Sequence, residues 1–416
     1  MTLLGVKQDR GGIKDPPNET YPDMLLKENL YYVGVNDRTK NLFESLWPLP
    51  QGVSYNSYLI TDEQTALIDT VEVRFFEEHI HRIRKIIGYR PIDYLIINHM
   101  EPDHSGCINL IQQLYPEITL VGNRQTLRMV DGFYGTGGKR LLINDNDILL
   151  LGEKDLRFYL TPMIHWPETM MTWDDTEGIL FSGDAFGCFG ALNGGVIDSN
   201  IDTSPYWDEM IRYYSNIVGK YGAQVQKALQ KLSTQSIHMI CPTHGPIWTN
   251  ETNKAISVYD RMSRNEGENG LVICYGSMYG NTLRMAELIA KAASESGVQT
   301  IKMHDVSRTH HSYILADIYR YRGLIVGAPT YNGSLFPEME NLLKEVTSRN
   351  VRNRLFGHFG SFTWAGQSAK QITLLTEGMQ WETIVSPIEM KQGDLASVKE
   401  RCKELGQKMA QRLKEE

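Results

Sequence analysis

Short apolar runs rich in β-branched residues alternate with helical stretches throughout residues 271–416. The last helical stretch is the clearest, because Val398, Cys402, Leu405 and Met409 recur at three- and four-residue spacing and form one apolar stripe. Five strand-like runs with helices between them predict a parallel, doubly wound α/β sheet. The five runs lie at residues 271–275, 299–303, 323–327, 355–361 and 383–388.

The stretch at residues 265–270 contains only Asn, Glu and Gly and separates this part of the chain from the part before it. Such residues bury little apolar surface, so the stretch predicts a linker between two domains, residues 1–265 and 271–416. In the first domain, strand-like runs are interrupted by helical patterns at residues 73–87 and 108–114. That interleaving fits an α/β or an α+β core, and the pattern alone does not choose between them.

The apolar run at residues 94–98 leads directly into four potential metal ligands, His99, Glu101, Asp103 and His104. A buried strand is a rigid element that can aim the loop after it. In an extended or turning loop, we expect His104 to point away from the other three ligands, so that one loop can address two metal ions. Packing alone does not explain so dense a group of ligands.

Three further apolar runs each lead to one candidate ligand, namely His165, Asp184 and His244. Three carboxylates among the seven ligands contribute −3 against +4 for two divalent ions, and a bridging hydroxide would complete neutrality. This balance favours a pair of metal ions, with Asp184 as the candidate bridging carboxylate. Taken singly, any of the 11 histidines is more often a core or surface group than a ligand, but the joint pattern argues against accident.

The order H-x-E-x-D-H, followed by His, Asp and His at separate strand ends, resembles the metallo-β-lactamase fold with Glu101 in place of the second histidine. Asp69 matches an early structural aspartate of that fold. The Glu101 replacement, followed by a flavodoxin-like domain, resembles the flavodiiron proteins. The resemblance implies an N-terminal αββα sandwich that holds two iron ions. By that resemblance, one iron would be held by His99, Glu101, His165 and Asp184, and the other by Asp103, His104, His244 and the shared Asp184.

Three loops follow predicted strands of the second domain, and the carboxyl ends of parallel strands converge on one crevice. The first loop opens into a helix, so its N–H groups and the hydroxyls of Ser277 and Thr282 form an anion cradle. Tyr331 and Trp364 are candidate walls for a planar ring. The pattern resembles flavodoxin, which implies flavin mononucleotide (FMN). The candidate FMN-binding residues are Ser277, Met278, Tyr279, Gly280, Asn281, Thr282, Pro329, Thr330, Tyr331, Asn332, Gly333, Ser361, Phe362, Thr363, Trp364, Ala365 and Gly366.

A flavin accepts two electrons and can release them singly, and a pair of iron ions can be oxidised together. The flavodiiron resemblance covers nearly the whole chain and implies reduction of dioxygen to water or of nitric oxide to nitrous oxide. It also implies a head-to-tail homodimer, or a dimer of dimers, that places the flavin of one chain beside the irons of the other. The chain has no cysteine pairs for an iron–sulfur centre, so we expect an external donor, rubredoxin first and a reduced deazaflavin second.

Several flavodiiron relatives carry a Phe-His-Gly-containing motif whose histidine lines the iron pocket. Glu44 stands where that histidine would, and Trp47 is the expected pocket aromatic. Either gas reaction requires a proton donor, and the candidates here are Glu44 and Tyr55.

The 416 residues include 50 acidic and 42 basic side chains, for a net charge of −8, which argues against a nucleic-acid or anionic-membrane partner. Five cysteines without a C-x-x-C pair favour a reducing compartment, and no run has signal-peptide or membrane-spanning character, so we expect a cytoplasmic protein.

Two rival functions are a dinuclear zinc hydrolase of the metallo-β-lactamase type and an electron carrier with an inactive first domain.

Overall fold

The computed structural model describes residues 25–135 and 137–415, so the first 24 residues of the predicted first domain lie outside the described residues. The described strands of the N-terminal domain are β1 (Leu25–Lys27), β2 (Leu30–Tyr32), β3 (Val35–Asp37), β4 (Leu42–Phe43), β5 (Trp47–Pro48), β6 (Val53–Tyr55), β7 (Tyr58–Thr61), β8 (Thr65–Ile68), β9 (Tyr94–Ile96), β10 (Thr119–Gly122), β11 (Lys139–Leu142), β12 (Ile148–Leu150), β13 (Asp155–Leu160), β14 (Met170–Asp174), β15 (Ile179–Gly183) and β16 (Met239–Pro242). Its described α-helices are α1 (Phe76–Ile87), α2 (Pro102–Ser105), α3 (Ile108–Leu114), α4 (Arg124–Tyr134), α5 (Ser204–Tyr213), α6 (Gly222–Leu232) and α7 (Thr252–Ser263).

The C-terminal domain runs, in chain order, through β17 (Glu268–Tyr275), α8 (Asn281–Glu295), β18 (Ile301–Asp305), α9 (His311–Arg320), β19 (Tyr321–Tyr331), β20 (Ser334–Leu335), α10 (Pro337–Ser348), β21 (Leu355–Phe362), α11 (Ser368–Thr376), β22 (Glu382–Thr383), β23 (Ile388–Lys391) and α12 (Leu395–Lys414).

Two sheets form the N-terminal domain, with strand orders β1-β2-β7-β8-β9-β10-β11 and β12-β13-β14-β15-β16. Neighbours β8, β9, β10 and β11 are parallel, and so are β15 and β16. Strands β14 and β15 are buried at every position, as expected for strands covered on both faces. The architecture confirms the metallo-β-lactamase-like fold, and it places the carboxyl ends of β9, β15 and β16 where the candidate metal ligands begin.

The C-terminal sheet has the order β18-β17-β19-β21-β22, and β23 continues the fifth strand position beside β21. These pairings are parallel, which confirms the predicted flavodoxin-like, doubly wound sheet. The fifth predicted strand is split into β22 and β23, because Pro387 lies between them and cannot donate a ladder hydrogen bond. A short antiparallel pair, β19 with β20, was not predicted.

The interpretation of residues 265–270 as an unstructured linker is wrong for its second half, since β17 begins at Glu268. Glu268 pairs with Tyr321 on β19, and Gly270 lies so close to the Tyr321 ring that a Cβ there would be only 2.5 Å from it. The guanidinium of Arg354 also donates to the carbonyl of Asn265. Small residues in this stretch therefore allow close packing against β19, which composition alone does not reveal.

The two domains share one continuous hydrophobic core. Helix α9 of the second domain packs against α5 and against the π-helical turn Tyr214–Val218 that follows it. Helices α8 and α12 cover the other face of the second sheet with a separate apolar cluster. All five cysteines are buried and unpaired. None of the helices in the described part of the chain combines the length and apolar character that a bilayer span requires.

Candidate metal centre and flavin-binding loops

Four of the seven predicted ligands, His99, Glu101, His165 and Asp184, form a first buried group. The Nε2 atoms of His99 and His165 lie 3.3 and 3.1 Å from Oε2 of Glu101. The same two nitrogens lie 3.3 and 3.0 Å from Oδ2 of Asp184. Four ligand atoms from four separate positions in the sequence thus surround one point.

The remaining three predicted ligands, Asp103, His104 and His244, form a second buried group. Oδ1 of Asp103 lies 3.5 Å from Nε2 of His104, and Oδ2 lies 3.5 Å from Nε2 of His244. Asp103 and His104 belong to the helical turn α2, so of the extended or turning loop that the sequence suggested, the structure has the turn. The turn places Glu101, just before α2, in one group and Asp103, inside it, in the other.

Asp184 contacts both groups, with one carboxylate oxygen toward each. Its Oδ2 faces the first group, whereas its Oδ1 lies 3.3 Å from Nε2 of His104 and 3.8 Å from Nε2 of His244. Thr243 donates its hydroxyl to the same Oδ1 over 2.5 Å, which fixes the carboxylate. This is the geometry of a carboxylate that bridges two cations.

The loop after β9 is held by side chains at the end of the neighbouring strand β8. Oδ1 of Asp69 accepts hydrogen bonds from the backbone N–H groups of Asn98 and His99 at 2.8 and 3.3 Å. Thr70 donates its hydroxyl to the carbonyl of His104 at 2.7 Å. Burial raises the pKa of Asp69 to about 6. Asp69 therefore acts on the site through the backbone that carries the ligands.

The sequence alone did not identify the residues that hydrogen-bond to the Nδ1 atoms of the ligand histidines. Oε1 of the fully buried Glu168 lies 2.8 Å from Nδ1 of His99, and the carbonyl of Ser54 lies 2.7 Å from Nδ1 of His244. Such contacts fix which ring nitrogen is free to bind a metal. Glu168 lies three residues after His165, and that proximity is the only signal the sequence offers. A backbone carbonyl such as that of Ser54 leaves no signal at all.

Opposing electrostatic effects shift the pKa values of the ligands. Burial alone would lower the pKa of His99, but Asp184, Glu101 and Glu168 outweigh it and hold that pKa well above its usual value. Burial would also lower the pKa of His165, but the hydrogen bonds to Asp184 and Glu101 outweigh it and raise that pKa to about 9. Burial raises the pKa of Asp103 to about 7 and lowers that of His244 to about 3. The groups thus hold protons that a bound cation would displace.

Two features show that cations fit this donor set. Both carboxylate oxygens of Asp103 are buried without a hydrogen-bond partner among the described residues. The Nε2 atoms of His104 and His244 lie only 3.0 Å apart, although the contact of His244 Nδ1 with a carbonyl leaves its Nε2 as an acceptor. A cation bound between these side chains would replace the contact between the two Nε2 atoms and would satisfy both oxygens of Asp103. A mixed His and carboxylate shell without thiolate suits iron.

A pocket of about 430 Å³ opens onto both groups, since Glu101 and Asp103 line it together with Glu44 and Phe43. Glu44 lies at the tip of the β4–β5 turn with φ of 49°. The residue is exposed, but its carboxylate accepts a hydrogen bond from Nε1 of Trp47 beside the pocket, and desolvation with the charge of Glu101 raises its pKa. The structure thus brings Glu44 to the pocket.

Tyr55 is fully buried beside the second group, with its ring 5.9 Å from that of His244, and burial raises its pKa strongly. The expectation that Trp47 is the pocket aromatic is wrong. The Trp47 ring contacts His310 of the second domain, whereas Phe43 lines the pocket. Tyr213, which the sequence analysis missed, lies 5.6 Å from His244 with its hydroxyl buried and unpartnered among the described residues.

The three predicted FMN-binding loops lie at the carboxyl ends of β17, β19 and β21 and are joined by their hydroxyl groups. Thr282 contacts Ser361 at 2.9 Å, and Thr330 accepts the N–H groups of Gln367 and Ser368 at 2.9 and 3.1 Å. Ser277 accepts the N–H of Gly280, next to the start of α8. The large apolar side chains of these loops are exposed, namely Met278, Tyr279, Tyr331 and Trp364.

This arrangement fits FMN. The start of α8, where the Ser277 hydroxyl accepts the N–H groups of Gly280 and Leu283, offers backbone and hydroxyl donors for a phosphate, and the exposed aromatic side chains offer faces for a planar ring. Of the remaining candidates, Pro329 and Phe362 lie in the last residues of β19 and β21 and Asn281 begins α8, whereas Asn332, Gly333, Thr363, Ala365 and Gly366 follow those two strands at the same edge of the sheet.

Comparison with known proteins covers almost the whole chain. A family model described as ODP family beta lactamase matches residues 53–245, and a flavodoxin model matches residues 273–413. The rubredoxin-oxygen oxidoreductase of Megalodesulfovibrio gigas is 31% identical over 93% of this chain and 97% of that protein. The chain belongs to the flavodiiron family. The anaerobic nitric oxide reductase flavorubredoxin of Vibrio vulnificus is 30% identical over 92% of this chain and 79% of that protein.

The solved flavodiiron protein of Giardia intestinalis superposes with a TM-score of 0.90 at 27% identity, covering 95% of this chain and 97% of that one. As a flavodiiron protein, the chain is an oxidoreductase whose cofactors are FMN and a pair of iron ions. The named relatives are oxidoreductases, so the comparisons do not favour the zinc-hydrolase alternative.

Proposed function

We propose that this flavodiiron protein reduces dioxygen, nitric oxide or both at a pair of iron ions, with electrons relayed through FMN. The observation that carries the proposal is the position of Asp184, whose two carboxylate oxygens face two separate ligand groups. The printed names of two relatives, an oxygen oxidoreductase and a nitric oxide reductase, support the same gases as substrates.

We assign His99, Glu101, His165 and Asp184 to one iron, and Asp103, His104, His244 and the shared Asp184 to the other. The support is the division of these side chains into two buried groups. Three carboxylates contribute −3 against +4 for two divalent ions, so one positive charge remains. A bridging hydroxide would neutralise that charge. When bound, the iron pair exchanges electrons with the gas, and FMN replenishes them.

The chain's own residues provide the pocket and its protons. Phe43, with 1% of its surface exposed, excludes water beside the ligands, and a pocket of about 430 Å³ admits a diatomic gas easily. Glu44 is the first candidate to deliver a proton from its carboxyl oxygen, because it lies at the pocket, where desolvation of its carboxylate and the charge of Glu101 raise its pKa. The second candidate is the hydroxyl of Tyr55, which is buried and has no hydrogen-bond partner among the residues described.

We propose the three C-terminal loops as the FMN site, with the phosphate at the first turn of α8 and the ring between Tyr331 and Trp364. The contact between the Thr282 and Ser361 hydroxyls, and the acceptance of the Ser368 N–H by the Thr330 hydroxyl, hold the loops together. We assign metal binding to the predicted domain of residues 1–265 and FMN binding to the predicted domain of residues 271–416. Helix α7 ends just before the boundary, and the two family matches fall on either side of it.

A head-to-tail dimer would bring the flavin of one chain to the irons of its partner. Both openings are rimmed by exposed apolar side chains, which supports their burial in an assembly. The exposed Leu42, Leu46 and Val73 lie within two positions in the chain of the pocket residues Phe43, Glu44 and Arg74, and the exposed Met278, Tyr279, Tyr331 and Trp364 belong to the flavin-loop segments. We propose that these two rims meet across the dimer, or across the dimer unit of a larger assembly.

The donor we propose is a small rubredoxin-type protein, as the name of the M. gigas relative suggests, with a reduced deazaflavin as the alternative. We place the protein in the cytoplasm because its five cysteines are unpaired thiols.

The proposed function is tested by purifying the chain without oxygen, quantifying iron and FMN, and recording gas consumption with a generic reductant. We expect about two iron ions and one FMN per chain, and rapid consumption of dioxygen or nitric oxide. Two zinc ions without flavin would support the hydrolase instead. Flavin turnover without gas consumption would support the electron carrier.

A further inference from the structure

The two ligand groups differ in the hydrogen-bond partners of the Nδ1 atoms of their histidines. Nδ1 of His99, in the first group, donates to a carboxylate, that of Glu168, over 2.8 Å. Nδ1 of His244, in the second group, donates to the neutral carbonyl of Ser54 over 2.7 Å. Nδ1 of His104 is buried and has no hydrogen-bond partner among the residues that the structure describes. Within the described part of the chain, the first group alone therefore has a carboxylate hydrogen-bonded to the Nδ1 atom of one of its histidines.

Glu168 is held rigidly in this position. Its side chain is completely buried, and Oε1 accepts the backbone N–H of Met100 at 2.9 Å in addition to His99. Its own carbonyl accepts Nδ2 of Asn123 at 2.6 Å, and Asn123 caps the start of α4. Its second oxygen, Oε2, has no partner within the described ranges. A buried carboxylate with so little hydrogen bonding is costly unless positive charge lies nearby.

The contact with Glu168 has two effects on His99. A proton held on Nδ1 makes Nε2 the nitrogen that binds a cation once its own proton is released, and Nε2 is the atom that faces Glu101 and Asp184. A carboxylate that accepts the Nδ1 proton also makes the imidazole a more basic ligand. Charge acts in the same direction, since Glu168 adds to Glu101 and Asp184 around the first group, whereas the second group has only Asp103 and Asp184.

We propose that Glu168 is a positioning residue that makes the two metal positions unequal, so that the first group binds its divalent cation more tightly than the second. The proposal rests on the metal-binding part of the proposed function and is independent of the gas reaction. It predicts that the first position fills before the second and is the last to be emptied by a chelator.

Cobalt(II) titration of the metal-free, FMN-containing full-length chain tests this proposal, with a competing chelator to measure affinity and the visible d–d absorption to follow occupancy. The substitution Glu168→Gln keeps an oxygen acceptor for His99 and removes the charge. Two backgrounds isolate the two positions. Asp103→Asn weakens the second group and leaves the first, whereas Glu101→Gln weakens the first and leaves the second.

In the Asp103→Asn background, we expect E168Q to lower the affinity for the remaining cobalt about 10–100-fold. In the Glu101→Gln background, the same substitution should change the affinity less than about threefold, because the Glu168 carboxylate is hydrogen-bonded to His99 and to the backbone of Met100 and, among the described residues, to no ligand of the second group. Glu168→Asp, which keeps the charge but shortens the side chain, should give an intermediate loss in the first background only. Circular dichroism and flavin absorbance check that each variant is folded.

An equal loss in both backgrounds would show that Glu168 only maintains the fold, and no loss in either would show that it does not act on the metal. Both results contradict the proposal. They leave the proposed function intact if the unsubstituted chain still binds two cobalt ions. An unsubstituted chain that binds no cobalt would contradict the metal pair and the role of Glu168 together.

Discussion

Nε1 of Trp47 donates a hydrogen bond to Oε2 of Glu44 over 3.0 Å. The Trp47 ring also contacts His310 and the guanidinium of Arg349, both from the second domain. The carboxylate at the metal pocket is therefore oriented by a side chain in the contact between the two domains. Because Trp47 contacts residues of the other domain, this arrangement could not be derived from the sequence of the first domain alone.

The role of Glu44 as proton donor is tested by the substitution Glu44→Gln. We expect kcat for gas reduction to fall about 10²-fold, since an amide cannot supply the proton, with unchanged iron and FMN contents. The rate should fall as pH rises through the raised pKa of Glu44, because the donor must be protonated. Steady-state gas consumption across a pH series measures both effects.

Trp47→Phe is the matched control for Glu44→Gln. The hydrogen bond from Trp47 lowers the pKa of Glu44, so its removal should move the alkaline limb of the rate profile to higher pH without abolishing activity. Wild-type rates in Glu44→Gln would exclude Glu44 as the donor and leave Tyr55 as the candidate.

Asp184→Ala tests the bridge between the two ligand groups. Because each group uses one oxygen of Asp184, we expect both iron ions to be lost while FMN stays bound in the other domain. Metal analysis and flavin absorbance of the same sample measure the outcome. One tightly retained iron would contradict the shared carboxylate, and loss of flavin would mean that the two sites depend on each other structurally.

Metal binding by the first group should release protons. The pKa of His165 is about 9 and that of His99 is also raised, so both rings are protonated near pH 7 in the metal-free protein. Since a ligating imidazole must give up that proton, we expect about two protons to be released from these rings and the affinity to rise with pH up to about 9. His244, with its pKa lowered to about 3, contributes none. Calorimetry in buffers of different ionisation enthalpy measures the release, and a value near zero would contradict the prediction.

Electron transfer across chains is tested by mixing two inactive variants. Ser277→Asp places a negative charge at the phosphate cradle, and His99→Ala breaks the first iron position. After dissociation and reassembly, half of the dimers are mixed and each contains one complete flavin–iron pair, so about a quarter of the wild-type activity should return.

The control for this experiment mixes Ser277→Asp with a chain that carries both substitutions. That mixture contains no FMN-competent chain and should remain inactive. If the two single variants recover no activity although mixed dimers form, transfer between chains is excluded.

The sequence predicted the strands and ligands whose signals are local. Helix α3 was predicted at its observed bounds, and the seven candidate ligands follow apolar runs that are easily recognised. Strand β14 was missed because its two methionines and tryptophan do not form a β-branched run. Residues 53–61 form two strands, β6 and β7, because the backbone N–H of Asn56 between them donates to the carbonyl of Thr243 instead of continuing a ladder.

The residues around the ligands were harder to predict because their roles depend on tertiary contacts. Glu168 lies 69 positions from His99, so no spacing rule connects them. Phe43 and Tyr213 contribute rings to the same site from distant segments, and an aromatic residue alone is most simply read as core. Trp47 was placed in the pocket by analogy, although the structure directs it to the second domain.

The central claim is that electrons pass from FMN to gas through the paired iron ions, and rapid mixing of two preparations tests it most directly. The same FMN-containing chain is loaded with iron or with zinc, reduced without oxygen, and mixed with dissolved dioxygen or nitric oxide while flavin absorbance is recorded. We predict rapid reoxidation of FMN in the iron-loaded protein and slow reoxidation in the zinc-loaded protein, since zinc has no redox chemistry. Equal rates in the two preparations would contradict the account.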